Sequence, residues 1–276
     1  MRTVPSEKYR LMRGMTFEQT QDYDDNLITV LELVWGEGYM SPGGPDEIRK
    51  IVEDVDLAGK NVLDIGCGTG GIAQFLVETY GPLKIVGIDV DAGLIERANR
   101  RAKKDGLSDQ LAFECVEPGP LPFLDASFDV VFSKDAMVHI AEKETLCTEI
   151  FRVLSPGGKV AACDWMCHSD APFSEEMAYY VEADGLGFGM ASPDRYRGAL
   201  ESAGFQNVAL KDRNAWYRPL VAKEYDALAG KHYEYLVEKL GREFADHEVE
   251  VWRALKVVVD SGELMPCHLH AEKPLL

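Results

Sequence analysis

The sequence predicts an α/β domain whose core is a doubly wound, mostly parallel sheet of seven strands, dressed with helical lid elements. Three observations carry this. Short β-branched apolar runs alternate with helical stretches through the middle of the chain, as in "NVLDIG", "GIAQFLVETYG", "KIVGIDV" and "AGLIERANRRAKKDG", and such a βαβα order demands parallel strands with right-handed crossovers. The first of these runs breaks into a cluster of glycines before its helix. With 276 residues, 46% of them hydrophobic, the chain has enough apolar surface for one full core.

Each element has its own local reason. After a polar start, Leu27, Val30, Leu31 and Val34 recur at helical spacing, a Gly/Pro turn follows at residues 42 to 45, and a second helix leads to the first strand. The helix "AGLIERANRRAKKDG" ends on a glycine stop signal. "LAFECV", "FDVVFS" and "KVAACDW" read as further strands, with "AEKETLCTEIFRVLSPGG" as the helix before the last of them. "SPDRYRGALESAGF" reads as a helix, and "QNVALKDR" and "MPCHLHAEKPL" complete the seven strands. Between those two lie about fifty residues that look helical almost throughout, and so long an excursion between strands reads as a cap. The expected organisation is a helical lid at residues 1–50 and a main domain at 51–276, with the cap inserted at about 214–262.

Composition narrows the function. A formal charge of −18 and a pI near 4.7 argue against a nucleic-acid binder, which concentrates Lys and Arg on one face. No stretch approaches the roughly eighteen apolar residues of a membrane span, and the N-terminus lacks a secretory apolar core. A cytoplasmic protein acting on a small molecule, as monomer or homodimer, is the expectation. The six cysteines show no paired CxxC spacing, which reads as reduced thiols.

The strongest chemical signal is "VLDIGCGTGGIAQF". Asp64 is delivered by a strand, and Gly66, Gly68 and Gly70 let the backbone turn tightly beside a ligand. Gly66, Gly68 and Gly71 also satisfy GxGxxG, with Asp89 at the distance of a ribose-binding acid, so a dinucleotide site is a rival reading. The carboxylate two residues before the first glycine separates the two. It repels a pyrophosphate and suits a cationic cofactor such as S-adenosylmethionine.

At this point the chain resembles the class I S-adenosylmethionine-dependent methyltransferases, through "LDIGCGTGG", "GIDV", "LPFLDASFDVVFSKD" and "VLSPGGKV" in order across residues 55 to 168. The resemblance implies their Rossmann-like fold and S-adenosyl-L-methionine as cofactor, with S-adenosyl-L-homocysteine as product. It places Asp89 on the ribose hydroxyls, with Val90 beside it, and the loop of Asp64, Gly66, Cys67 and Gly68 near the methionine part. It sets Val116 and Glu117 at the adenine, Glu117 being longer than the usual Asp, and Ser133 at the end of the fourth strand. No metal is implied.

Residues after "FDVVF" stand at the carboxyl end of a sheet strand, where open α/β sheets bind ligands. Asp135 and His139 therefore sit at the chemistry. If residues 135 to 139 form one helical turn, the acid orients the imidazole and the histidine serves as general base; the alternative is a helix-capping Asp and a packed His. The chain is similar to small-amine N-methyltransferases, namely phosphoethanolamine methyltransferases and sarcosine/dimethylglycine methyltransferases, and in the first of these groups a segment resembling "SKDAMVHI" holds a catalytic Asp/His dyad. By the same resemblance "YDDNLITVLELVWGEGYMSPGG" is an active-site lid, with Tyr23 closing over the dyad and Tyr39, Met40 and Ser41 facing the cofactor.

Beyond residue 168 the resemblance departs from the phosphobase enzymes. Asp184, within "YYVEADGLGFGM", stands about where their phosphate-binding arginine belongs, and apolar "LMP" replaces a lysine. A phosphate would meet a carboxylate. Trp35, Tyr39, Trp165, Tyr179, Tyr180, Phe188, Trp216 and Tyr217 flank the acceptor region, and aromatic faces attract alkylammonium groups; Trp165, Tyr180 and Asp184 are the expected substrate contacts. Lys134, Arg195 and Arg197 are the cations available should the acceptor carry a carboxylate. The expected activity is N-methylation of a small amine or amino acid, of sarcosine/dimethylglycine type. The alternatives are a phosphoethanolamine-type enzyme, an O- or S-methyltransferase, a nicotinamide-dependent oxidoreductase and a non-catalytic binding module.

Overall fold

The computed structural model describes residues 23–275; the first 22 positions of the expected lid lie outside the described residues. Helices α1 (Asp25–Trp35) and α2 (Gly44–Ile51) precede the alternation β1 (Asn61–Ile65), α3 (Gly71–Tyr80), β2 (Lys84–Asp89), α4 (Ala92–Lys104), β3 (Leu111–Cys115) and β4 (Phe128–Lys134). A 3₁₀ turn at Met137–His139 leads to α5 (Lys143–Val153) and β5 (Leu154–Cys167). Then come α6 (Glu175–Asp184), α7 (Pro193–Ala203), β6 (Gln206–Asp212), α8 (Asn214–Ala229), α9 (Tyr233–Leu240), α10 (Arg242–Ser261) and β7 (Leu264–Glu272).

The seven strands form one sheet in the order β3-β2-β1-β4-β5-β7-β6. β1 pairs parallel with β2 and β4, and β7 alone runs antiparallel, between β5 and β6. The strand order reverses at β1 and β4, so their carboxyl ends open the crevice in which such sheets bind ligands. Helices α2, α3 and α4 pack on one face around Ile48, Leu76 and Ala98. The other face is covered by α5 and α7 through Ile150, Val153, Tyr196 and Leu200.

A third apolar cluster lies apart from these two. It joins α1 (Val30, Leu31), α6 (Met177, Tyr180), α8 (Tyr217, Val221) and α10 (Trp252, Leu255, Val258). The fifty-residue excursion is thus three helices that share an apolar cluster with α1 and α6; its periodicity foretold the helices but not the shared cluster. Helix α6 was not anticipated: its signal is a local cap, the Ser174 hydroxyl accepting from Met177 N at 3.1 Å. One buried ion cluster fastens α2 to the sheet edge. Glu47, 1% exposed, accepts a two-pronged bond from Arg213 at 2.8 Å on each oxygen and another from His268 Nε2 at 2.7 Å. Burial alone would raise the Glu47 carboxyl, but these donors hold it down at about 2.

Candidate active site

The glycine loop between β1 and α3 is pressed against its neighbours. Gly66 has φ +73°, and a Cβ there would lie 2.1 Å from the Ala136 Cβ, so only glycine lets the loop meet the segment after β4. Gly68 N donates to Asp89 Oδ2 at 3.0 Å, and Asp91 N donates to Asp89 Oδ1 at 3.1 Å. Each Asp89 oxygen keeps acceptor capacity. Burial raises the Asp89 carboxyl, although these backbone donors oppose the rise.

Asp64 is 2% exposed and its Oδ2 has no hydrogen-bond partner. Burial, aided by the Asp89 charge, pushes it up to about 7. An orphaned buried acid costs free energy until a donor or cation meets it, and this one favours a positively charged ligand over a pyrophosphate. At the end of β2 the Val90 side chain is 61% exposed, an apolar surface on which a flat ring can lie. Met40 Sδ stands 2.9 Å from where a Gly68 Cβ would be, so the turn after α1 does reach the loop. These residues fit an adenosyl sulfonium cofactor.

Other expected cofactor contacts are less committed. Val116 is half-buried and packs against the sheet core, while Glu117 is exposed. The Ser133 hydroxyl donates to Ile65 O at 2.8 Å and ties β4 to β1. Cys67 is a buried thiol, raised by burial. Ser41 is buried and Tyr39 half-buried beside α3.

Beside the loop, under α1, α6 and α10, lies a cavity of about 90 Å³, room for several waters or one small organic molecule where a single water needs about 10–15 Å³. It brings together Tyr23, Met40, Ser41, Asp135, His139, Trp165, Tyr180 and Asp184. All three expected substrate contacts are therefore in one place. No lysine or arginine is among the described residues that line it.

Asp135 and His139 share the cavity but not the expected bond. Asp135 follows β4 in the left-handed region, φ +56°, which Asp tolerates better than most residues, and helical geometry begins only at the 3₁₀ turn Met137–His139. Four-residue spacing is then not one α-helical turn. The Asp135 carboxylate instead takes Lys134 Nζ at 2.5 Å on Oδ2, with both side chains buried, and leaves Oδ1 unpartnered. His139 is oriented by a carbonyl: its Nδ1 lies 2.8 Å from Gly187 O. A carbonyl only accepts, so Nδ1 carries the proton and the Nε2 lone pair faces Tyr23 Oη at 3.4 Å. The ring stacks on Phe188 at 5.4 Å and 18°. Burial lowers the His139 pKa despite the Gly187 bond, which keeps it neutral and able to accept a proton.

The turn carrying His139 is clamped from below. Lys143, 0% exposed, donates to the carbonyls of Met137 and Ile140. Asp164, also fully buried, accepts from Val138 N at 2.9 Å and from the Tyr196 hydroxyl. Neither residue stood out in the sequence: Lys143 sits between Glu142 and Glu144 like a surface charge, and Asp164 is a lone acid in an apolar run.

Two residues on α10 were also missed. Glu248 and Trp252 line the cavity, and Glu248 is 5% exposed with no hydrogen bond to any described residue. Burial and the charges of Asp184 and Asp24 push it up to about 8. Asp184 is raised by burial to about 6 and accepts from Tyr180 Oη at 3.2 Å. A signal for Glu248 exists: it shares the apolar stripe of Val251, Trp252, Leu255 and Val258, where an acid is out of place.

Of the candidate aromatics, Trp35 and Phe188 line the cavity with Trp165 and Tyr180. Tyr217 is buried elsewhere, its hydroxyl on Glu224 at 2.9 Å, Trp216 lies against Arg213, and Tyr179 bonds Glu250. The candidate cations are engaged as well: Lys134 by Asp135, Arg195 by Glu144 at 2.9 Å, and Arg197 by Val208 O at 2.9 Å.

A family model described as a methyltransferase domain matches residues 62–158. The chain is 33% identical to phosphoethanolamine N-methyltransferase 1 of Triticum aestivum over 261 residues, 93% of this chain and 51% of that protein. It is 30% identical to the 27-O-demethylrifamycin SV methyltransferase of Amycolatopsis mediterranei, over 75% of this chain and 80% of that one. The chain spans about half the length of the plant relatives it matches. In fold it is similar to Haemonchus contortus phosphoethanolamine N-methyltransferase 2 in complex with phosphomonomethylethanolamine and S-adenosylhomocysteine, with TM-score 0.82 and 23% identity over 91% of this chain and 59% of that one. It is likewise similar to a Galdieria sulphuraria protein assigned as a sarcosine dimethylglycine methyltransferase, with TM-score 0.80 and 21% identity over 92% and 100% of the two chains. The glycine loop, the sheet order and these likenesses agree, and the chain belongs to the class I S-adenosylmethionine-dependent methyltransferases.

Proposed function

We propose that this chain methylates the nitrogen of a small amine that carries no phosphate. The observation that carries the reading is the cavity beside the glycine loop, lined by acids and aromatic rings and, among the described residues, by no lysine or arginine. A phosphate dianion there would lose its hydration and meet Asp184 and Glu248, a cost without compensation. A cationic amine gains from the same surroundings, about 0.5–2 kcal/mol for each ring face it meets.

When bound, S-adenosylmethionine supplies a methyl group already activated on a sulfonium. In this reading Asp64 and the backbone of the Gly66 to Gly70 loop hold its amino-acid end, Asp89 its ribose hydroxyls, and Val90, Val116 and Glu117 its ring, while Tyr39, Met40 and Ser41 close over it. The acceptor nitrogen must be unprotonated to attack. His139, held by the Gly187 carbonyl with its Nε2 free of a proton, takes or relays that proton, and the Tyr23 hydroxyl, 3.4 Å away, bridges the two. The unpartnered Asp135 Oδ1 offers the ammonium form a charge-assisted bond before the proton leaves. Helix α1 and the α8–α10 layer, the expected lid and cap, shield the reacting atoms from water, so positioning supplies much of the rate. The cytoplasm is the compartment this reading assumes. Among the described residues no helix is long and apolar enough to cross a membrane.

A second reading, a phosphoethanolamine-type acceptor, is favoured by the names of the relatives. The test is a screen of amines, amino acids and phosphorylated amines with S-adenosylmethionine, following S-adenosylhomocysteine release and product mass. Methylation of phosphoethanolamine with unphosphorylated amines inert would replace the first reading by the second.

A further inference from the structure

Resting on the amine-methylating reading, we infer that Glu248 and Asp184 form the cation-recognition site for the acceptor, and that the acceptor is a monocationic amine whose remaining body is small, apolar or hydroxylated, and free of any acidic group. Glu248 provides the independent sign of a ligand. It is 5% exposed, it lines the cavity, and no described residue hydrogen-bonds its carboxylate. Buried acids are otherwise paired, and no described residue supplies this one with a partner.

The charge balance of the cavity selects the class of ligand. Asp135 is neutralised by Lys134 at 2.5 Å, which leaves Asp184 and Glu248 as the unmatched acids of the lining. Both line the same cavity; burial first, and then the Asp184 charge, raises the Glu248 carboxyl, and burial raises that of Asp184. Two carboxyls with no lysine or arginine in the described lining favour an ammonium and disfavour any further acidic group. An added carboxylate on the acceptor would be desolvated beside two acids with no guanidinium or ammonium in the described lining to receive it. The remaining wall is hydrocarbon and ring, from Leu27, Leu31, Trp35, Val251, Trp252 and Leu255, which suits an alkyl body. Glycine, sarcosine and dimethylglycine are thereby set aside along with phosphorylated amines.

Two arms test this. In the first, ethanolamine, n-butylamine and their N-methyl derivatives are compared with sarcosine, dimethylglycine and phosphoethanolamine as acceptors. In the second, calorimetry measures choline and its neutral isostere 3,3-dimethylbutan-1-ol on the S-adenosylhomocysteine complex of wild type, Glu248→Gln and Asp184→Asn. The expected result is turnover of the unacidic amines. Choline binding should weaken at least tenfold in Glu248→Gln and also fall in Asp184→Asn, with the isostere and S-adenosylhomocysteine unchanged within twofold. Turnover confined to amino acids, or choline affinity unaltered in both variants, overturns the inference and leaves methylation of a phosphate-free amine standing, whereas turnover confined to phosphorylated amines overturns both. No N-methylated product from any amine class, with S-adenosylhomocysteine still bound, overturns the underlying reading and the inference together. Should Glu248→Gln fail to fold, Asp184→Asn decides the binding arm alone.

Discussion

Replacing Glu248 by Gln should change how stability depends on pH, and the size of the change follows from the burial of one carboxyl. Unfolded, this glutamate ionises near 4.5; folded, burial and the neighbouring acids hold it to about 8. Between those values the native state keeps a proton that the unfolded chain has released, so the unfolded state binds fewer protons and stability falls as pH rises. The distance between those two values corresponds to a ceiling of about 5 kcal/mol lost by the wild type across that window, at about 1.36 kcal/mol for each tenfold change in proton affinity. Gln cannot ionise and lacks this decline, although an unpartnered amide in the same place lowers stability by about 1–3 kcal/mol at every pH. Asp64 and Asp164, each raised to about 7 by burial, contribute similar declines to both proteins and cancel in the difference. Urea unfolding at half-unit steps from pH 5 to 9 reads the result. The wild-type and Glu248→Gln curves should converge or cross as pH rises. Curves that remain parallel to within about 0.5 kcal/mol would show that the carboxyl is already hydrated or paired in the folded protein.

Three further outcomes are expected. Asp89→Ala should weaken S-adenosylhomocysteine about 10- to 150-fold by calorimetry, the effect of one lost charge-assisted bond of about 1.5–3 kcal/mol, because its oxygens also fix Gly68 N. His139→Ala should lower kcat at least tenfold with S-adenosylhomocysteine affinity kept within threefold, and Tyr23→Phe should lower it less; steady-state kinetics with the best acceptor decide, and unchanged kcat in both would return the pair to packing. Glu47→Gln should cost about 3 kcal/mol at neutral pH by denaturant titration. It should also remove the acid-side loss of stability that the wild type shows as pH falls from 4.5 toward 2, since the folded Glu47 carboxyl lies near 2.

The sheet and the cofactor loop were legible because their backbone leaves little choice of residue. A strand buried on both faces must be apolar, and a turn in which a Cβ would come within 2.1 Å of a neighbouring carbon must be glycine. The gathering of Trp165, Tyr180 and Asp184 was legible through resemblance. The wiring of Asp135 and His139 was not. Spacing along a sequence carries no record of a left-handed residue at position 135, and it is that backbone turn which hands the carboxylate to Lys134 and the imidazole to Gly187. Glu248 lay in plain view as an acid within a hydrophobic helical stripe. A stripe, however, says only that a face is covered, and it took the fold to show that the cover is partly an empty space.

The contact between Gly66 and Ala136 sets a spacing tolerance as well as a turn. One side of it carries the loop assigned to the cofactor, the other the segment that leads into His139, and the far side of the same loop abuts Gly38, whose carbonyl lies 2.3 Å from where a Gly71 Cβ would be. The loop is thus a shim between two walls with no slack on either side. A single methyl group inserted at position 66 would act as a wedge, prising the acceptor's wall from the donor's while touching neither ligand. Misplacements of about 1 Å between reacting atoms can slow a transfer about a hundredfold, so in the proposed site the hydrogen atom that stands for a side chain at Gly66 would itself be part of the reaction geometry.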